Sequence, residues 1–329
     1  MAFANAQVSD IIATTIQSRS GVIADNVTKN NALLRRLQQR GNTKTFSGGN
    51  VIMQELSFAQ NSNAGWYSGY ETLPTGAQDV ISAAQYDIKQ AACPVTISGL
   101  ELLQNSGKEQ IIDLLEGRMT VAEDTMQNLV AAGIYANGTG FGGKEIAGLG
   151  AAISAAPTGV GTYGGIDQVA WPFWQNQLYK GTTDGTAAIS PSNINVYMNR
   201  LWARLVRGMN RPDLVVMDNL MWSIYMQSLQ QFQRFNDKDA TAGFGFPSVK
   251  FMDADVVLDG GLGGFAPATV AYFINSKFLF FRPHKDRNFV ALDPGKRYSI
   301  NQDAVTQILA FAGNLTVSNR SLQGRLDNT

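Results

Sequence analysis

The 329-residue chain has one cysteine, Cys93, and one histidine, His284. A disulfide within the chain and a zinc cluster of Cys/His ligands are both excluded. A Ser-His-Asp or Cys-His mechanism would have to run through His284. That residue stands in RPHKDR, a polar stretch after an aromatic run, and reads as a solvated loop histidine. Charge is also scarce, at 16% of residues against the usual ~25%. Lys+Arg 26 balances Asp+Glu 26, so no global field favours capture of nucleic acid. No run approaches the ~18 apolar residues of a membrane span. The opening MAFANAQVSD lacks the basic and apolar regions of a signal peptide.

What is present is an aromatic fraction of 10% and 33 glycines. Low charge with many aromatics suits a surface covered by other subunits, and it suits an ordinary large core equally. The organising stretch is residues 108–136, KEQIIDLLEGRMTVAEDTMQNLVAAGIYA. Ile111, Ile112, Leu115, Met119, Ala122, Met126, Leu129, Val130 and Ile134 follow the i, i+3/i+4 spacing of an amphipathic helix. Asn137-Gly138 stops it. Gly117 and Gly133 each weaken such a helix by roughly 1 kcal/mol relative to Ala, so it must pack along something. A spine against a sheet and an ordinary long core helix both fit.

In chain order, Ser9 can cap a short helix, and VTKNNALLRRLQQRGN predicts another carrying Leu33, Leu34 and Leu37. Its Arg35, Arg36 and Arg40 suit the helix C-terminus. Strands are predicted at 51–59 and 80–97, forming a long hairpin. Its wide tip, QNSNAGWYSGYETLPTGA, displays Trp66, Tyr67 and Tyr70. An isolated hairpin is marginal in water, so the tip needs a partner, in a neighbouring subunit or in its own domain. Helices capped by Ser192 and Asp218, and strands at 214–217, 251–258 and 270–281, give a mixed α/β region over 149–285. Strands near 288–292 and 304–317 are expected to return to the hairpin base beside the spine.

Gly138–Lys144 fits G-x-x-x-x-G-K, the start of a phosphate-binding loop. Glu145 stands where the Ser/Thr hydroxyl belongs, a helix precedes the loop in place of a strand, and no helix opens after Lys144. The stretch reads as a linker leaving the spine.

Several segments in order resemble tailed-bacteriophage major capsid proteins: DNVTKNNALLRRLQQRGN, GGN, GLGAAISAAPTGVGTYGGIDQVAWPFWQNQ, RPDLVVMDNLMWSIYMQSLQQFQRF, FPSVKFMDADVVLD and TVAYFINSKFLFFRPH. Together they span most of residues 25–317, and TYGGID-x-x-x-x-PFW (Thr162 to Trp174) is the most specific. The resemblance implies an α+β, Hong Kong 97-type capsid fold. Its parts would be an N-terminal arm at 1–48, an extended loop at 49–90, a peripheral domain at 91–148 and 286–329, and an axial domain at 149–285. It implies an icosahedral shell of hexamers and pentamers enclosing double-stranded DNA, without enzymatic activity, cofactor or metal. Partners would be further copies of the chain and a portal protein, with a decoration protein as an optional addition. Because the arm pattern begins within the first thirty residues, scaffolding is expected from a separate protein. The loop tip has no lysine, which predicts a noncovalent shell.

Candidate contacts between subunits are Leu33, Leu34 and Arg36 on the arm, and Trp66, Tyr67 and Tyr70 at the loop tip. Lys296 and Arg297 belong to a peripheral loop at Asp293–Asn301, and Arg234 and Asp237 to axial contacts. DNA contact would be diffuse and not base-specific. Two other readings are an encapsulin-like compartment for protein cargo and an enzyme using the Gly138–Lys144 loop for nucleotide.

Overall fold

The computed structural model describes residues 31–104, 114–230, 248–260, 264–298 and 303–328. Helix α1 spans Ala32–Gln39, started by Asn31, whose side chain accepts from the Leu33 and Leu34 amides, a standard N-cap. Strands β1 (Val51–Ser57) and β2 (Ile81–Asp87) pair antiparallel from Val51↔Asp87 to Ser57↔Ile81. The expected second strand of the hairpin divides at Ile88. Its remainder, β3 (Lys89–Ser98), pairs with another sheet altogether.

After the short helix α2 (Gly99–Gln104) comes the spine, α3, Leu114–Tyr135. Its 22 residues make a rod of about 33 Å. The expected first turn, 108–113, lies outside the described residues. Ala122, Met126, Val130 and Ile134 are buried at i+4 spacing, while Leu129 is on the exposed side. This face lies on β3 and on β13 (Ala304–Val317), so the spine does lie against a sheet.

That sheet is built on β13 (Ala304–Val317). Over residues 305–310 it pairs with β3 on one edge and β12 (Val290–Tyr298) on the other. Its far end pairs with β11 (Leu279–Pro283) from Leu279↔Val317 to Pro283↔Gly313.

The second sheet has six strands in the order β6-β14-β10-β7-β9-β8. These are β6 (Gln177–Lys180), β7 (Leu214–Met217), β8 (Ser248–Phe251), β9 (Ala254–Leu258), β10 (Val270–Ile274) and β14 (Gly324–Asp327). Every residue of β7 and β10 is buried because both faces are covered. Val215, Met217, Ala271 and Phe273 pack under helices α4 (Ile194–Leu205) and α5 (Asn219–Gln230). Leu214, Val216, Tyr272 and Ile274 alternate with them and join the spine's core.

Three expectations change. Residues 251–258 are not one strand: β8 and β9 form a hairpin turning at Met252 and Asp253. Residues 270–281 split between the two sheets at a 3₁₀ turn, Ser276–Phe278. The last strand, β14, leaves the spine region and completes the six-stranded sheet between β6 and β10, where a segment wholly on the spine side was expected.

Candidate assembly surfaces

At the loop tip, Trp66 is 104%, Tyr67 67% and Tyr70 108% exposed, and no ring contact involves them among the described residues. The alternative in which the tip folds back on its own domain is therefore not the observed arrangement. The base of the hairpin, by contrast, is fixed. Ile52, Leu56, Ala84 and Tyr86 face the core, and the Tyr86 hydroxyl donates to the Val317 carbonyl at 3.0 Å. Phe58 packs on Trp171 and Phe173, each 5.9 Å away between ring centroids.

The TYGGID motif supplies the support. Strands β4 (Thr162–Tyr163) and β5 (Ile166–Asp167) form a hairpin whose turn glycines have φ +62 and +76, a conformation costly for residues with a Cβ. A Cβ at Gly164 would lie 3.0 Å from Tyr86 Cζ, and the Gly164 carbonyl accepts the Gln85 amide at 2.9 Å. Trp174, buried beneath, donates from Nε1 to the Tyr163 carbonyl at 2.8 Å.

The arm candidates behave differently. Leu33 is 0% exposed and Leu34 packs partly against the same core. Leu33 therefore has no surface left for a neighbour, which corrects its assignment as a contact residue. Arg36 is also engaged within the chain: its Nε lies 2.9 Å from Asp213 Oδ2 and its Nη1 3.4 Å from Asp255 Oδ2. Arg40 reaches the same Asp213 at 3.1 Å, and Asp213 also accepts from the Ser276 amide and hydroxyl, both at 2.7 Å. Beyond α1, the Lys44 and Phe46 amides donate to the Phe281 and Pro283 carbonyls at 3.0 and 3.2 Å, extending the β11 edge.

Lys296 and Arg297 lie at a break in β12, where the register with β13 shifts between Leu292 and Arg297. Residues 293–296 thus leave the ladder where the peripheral loop was expected, and residues 299–302 fall outside the described residues. Arg234 and Asp237 also fall outside them.

In the 138–145 loop, the Glu145 carboxylate accepts the Gly140 amide at 3.1 Å. A backbone donor that a phosphate would need is thereby taken internally. His284 is half-buried, edge-on to Phe46 at 4.9 Å, and its Nδ1 accepts the Asp286 amide at 3.1 Å, so the solvated loop histidine is instead a turn residue. Among the described residues no helix is long and apolar enough to cross a membrane.

Sequence reasoning missed Arg320. It is 1% exposed and donates to the carbonyls of Ala151, Ala152 and Trp174 and to Gln168 Oε1. It ties the segment after the spine to the TYGGID region. No periodicity or motif marks an arginine for such a role.

No protein-family model matches the chain, and no curated protein matches it. Solved structures do. A chain of the cyanophage A-1(L) capsid asymmetric unit is 17% identical, with 93% of this chain and 95% of that one covered, at a TM-score of 0.68. The capsid of the native GTA particle gives 15%, 92% of each chain and 0.62. The SrpI encapsulin of Synechococcus elongatus PCC 7942 gives 9%, 95% of each chain and 0.55. From arm helix to last strand, the chain has the fold of capsid and encapsulin shell subunits.

Proposed function

We propose that this chain is the major capsid protein of a tailed, double-stranded DNA bacteriophage. It assembles as hexamers and pentamers into an icosahedral head. The observation that carries the reading is an extended loop anchored at its base and bearing fully exposed aromatics at its tip, on a fold shared with capsid subunits over nearly the whole chain. An aromatic tip held away from its own domain is a contact element for a second copy. Trp66, Tyr67 and Tyr70 are its anchors. The 293–296 excursion, with Lys296 and Arg297, forms a second contact, as do Arg234 and Asp237 at the axial end.

The work is mechanical. Many modest contacts repeated around a closed shell hold it together by multivalency. The hairpin with its tip is the extended loop, the α3 and β13 layer the peripheral domain, and the six-stranded sheet the axial domain. A portal protein and a separate scaffolding protein complete assembly in the host cytoplasm. DNA inside meets a chain of zero net charge through diffuse contacts. The tip, residues 60–77, has no lysine, and Lys89 lies at the hairpin base against Asp87 at 3.5 Å and the Gly143 carbonyl at 2.8 Å, which supports a noncovalent shell.

The encapsulin likeness supports a second reading, a compartment for protein cargo. Nuclease treatment of particles purified from their native source separates the two. Protected double-stranded DNA supports the phage head, and protein cargo without nucleic acid would replace that reading with the compartment.

A further inference from the structure

Helix α4 carries no acidic residue, and its arginines stand on the surface. Arg200 and Arg204 are exposed one turn apart, about 6 Å along the axis, and Arg207 is exposed just past the helix end. Tyr179, a buried residue of β6, holds the first two. Its hydroxyl accepts from Arg200 Nη1 at 3.0 Å and donates to the Asp184 carbonyl at 3.2 Å. The Arg204 guanidinium lies 5.3 Å from the centre of the Tyr179 ring, and its Nη1 donates to the Leu178 carbonyl at 3.2 Å. Each guanidinium keeps further N–H donors for a ligand. The acids of the elements around α4 are committed elsewhere. The Asp184 carboxylate accepts the Lys180 amide at 2.8 Å. Asp213 holds Arg36 and Arg40, Asp253 lies 2.7 Å from Arg211, and Asp327 2.8 Å from Arg325. The neighbouring α5 has no acid. Among the described residues no carboxylate pairs with Arg200, Arg204 or Arg207, so three positive charges are left over here in a chain of zero net charge.

We propose that this arginine face binds the phosphate backbone of duplex DNA. Three unpaired cations in succession suit a ligand of repeated charge, and duplex DNA carries one negative charge per ~1.7 Å of its axis. Guanidinium forks match phosphate oxygens and stay charged throughout the physiological pH range. Because Tyr179 already orders Arg200 and Arg204, less side-chain freedom is lost on binding. A contact confined to phosphates carries no sequence information. The choice of duplex DNA over another polyanion rests on the phage-head reading, whereas binding by the single subunit is measured apart from shell formation.

The test is fluorescence anisotropy of a short labelled duplex titrated with the purified full chain. Binding is expected at low salt, and three phosphate contacts predict a roughly 40-fold loss of affinity between about 50 and 200 mM salt. Replacing Arg200, Arg204 and Arg207 together by Gln should weaken low-salt binding more than tenfold. Arg207→Gln alone, whose side chain makes no hydrogen bond among the described residues, should lower the salt slope by about one without lowering the unfolding temperature. Lys285→Gln, at an exposed position after β11, should change neither affinity nor slope. The proposal is overturned by the absence of low-salt binding, by unchanged binding in the arginine variants, or by an equal loss in Lys285→Gln. Labelled polyglutamate bound as tightly as the duplex would also overturn it, in favour of an acidic protein partner. Electron microscopy of the same chain keeps the two readings apart. Shells built from subunits that bind no duplex overturn this inference alone, and duplex binding by a chain that forms no shells overturns the phage-head reading alone.

Discussion

Asp259 follows β9 and is buried, and the Tyr135 hydroxyl donates to its carboxylate. Burial raises the Asp259 carboxyl above its ordinary value, and the hydrogen bond from Tyr135 opposes this without cancelling it. The folded state therefore favours the protonated carboxyl more than the unfolded chain does. That contribution is complete below the unfolded value and is lost as pH rises through the folded one. Asp259→Asn copies the neutral form and can still accept from Tyr135. At neutral pH the variant should match or exceed the parent in urea resistance, and acidification towards about pH 4 should shrink any advantage. A variant weaker at neutral pH, with a pH-independent deficit, would contradict this. Gly148 shows a different constraint. A Cβ there would sit 2.2 Å from the Ile134 carbonyl oxygen and 2.4 Å from that of Gly133, so the loop crosses the end of the spine at backbone contact. Gly148→Ala should cost about 1–3 kcal/mol, read as a lowered denaturation midpoint of the soluble subunit. Neither residue was legible in the sequence, where Gly148 is one glycine of a linker and Asp259 one acid of a turn. Their roles come from atoms that meet only in three dimensions.

At the scale of elements, α1 is held by its leucines and by Arg36, with Asp213 and Asp255 at the start of β7 and β9. Charge-assisted hydrogen bonds of this kind contribute roughly 1.5–3 kcal/mol. Arg36→Ala should therefore raise amide exchange over residues 32–39 while leaving β10 protected. Equal loosening of both would mean that Arg36 supports the whole fold and not the arm alone. The sequence read the helix correctly from its leucine spacing but assigned its arginines to the helix dipole. The partners, Asp213 and Asp255, lie far along the chain and carry no local signal. The spine was legible because burial on one side imposes a period on it, and the LVVM strand because burial on both faces leaves an unbroken apolar run. The division of 80–97 at Ile88, and of 270–281 at Ser276–Phe278, was not. An apolar run that passes from one sheet to another keeps its composition and changes only its partners. The return of β14 to the six-stranded sheet was hidden for a related reason: GRLD is four residues long, too short for periodicity to speak.

For the whole molecule, the α+β architecture was legible as an ordered set of segments, and the comparisons bear it out. The exposed tip was legible as aromatics in a polar, glycine-rich stretch, although the sequence left open whether the tip folds back. The structure leaves Trp66 and Tyr70 fully in solvent, a costly arrangement in a monomer and a useful one in a repeated contact. Combined replacement of Trp66, Tyr67 and Tyr70 by Ala should leave the subunit folded, because these rings contribute nothing to its core, while assembly is lost. An unfolded variant would place the tip in the fold instead. The most direct measurement is electron microscopy of the purified intact chain, alone and co-expressed with a scaffolding protein encoded beside it. The account predicts closed particles or ringed capsomers in at least one condition. A monodisperse monomer under both would contradict it.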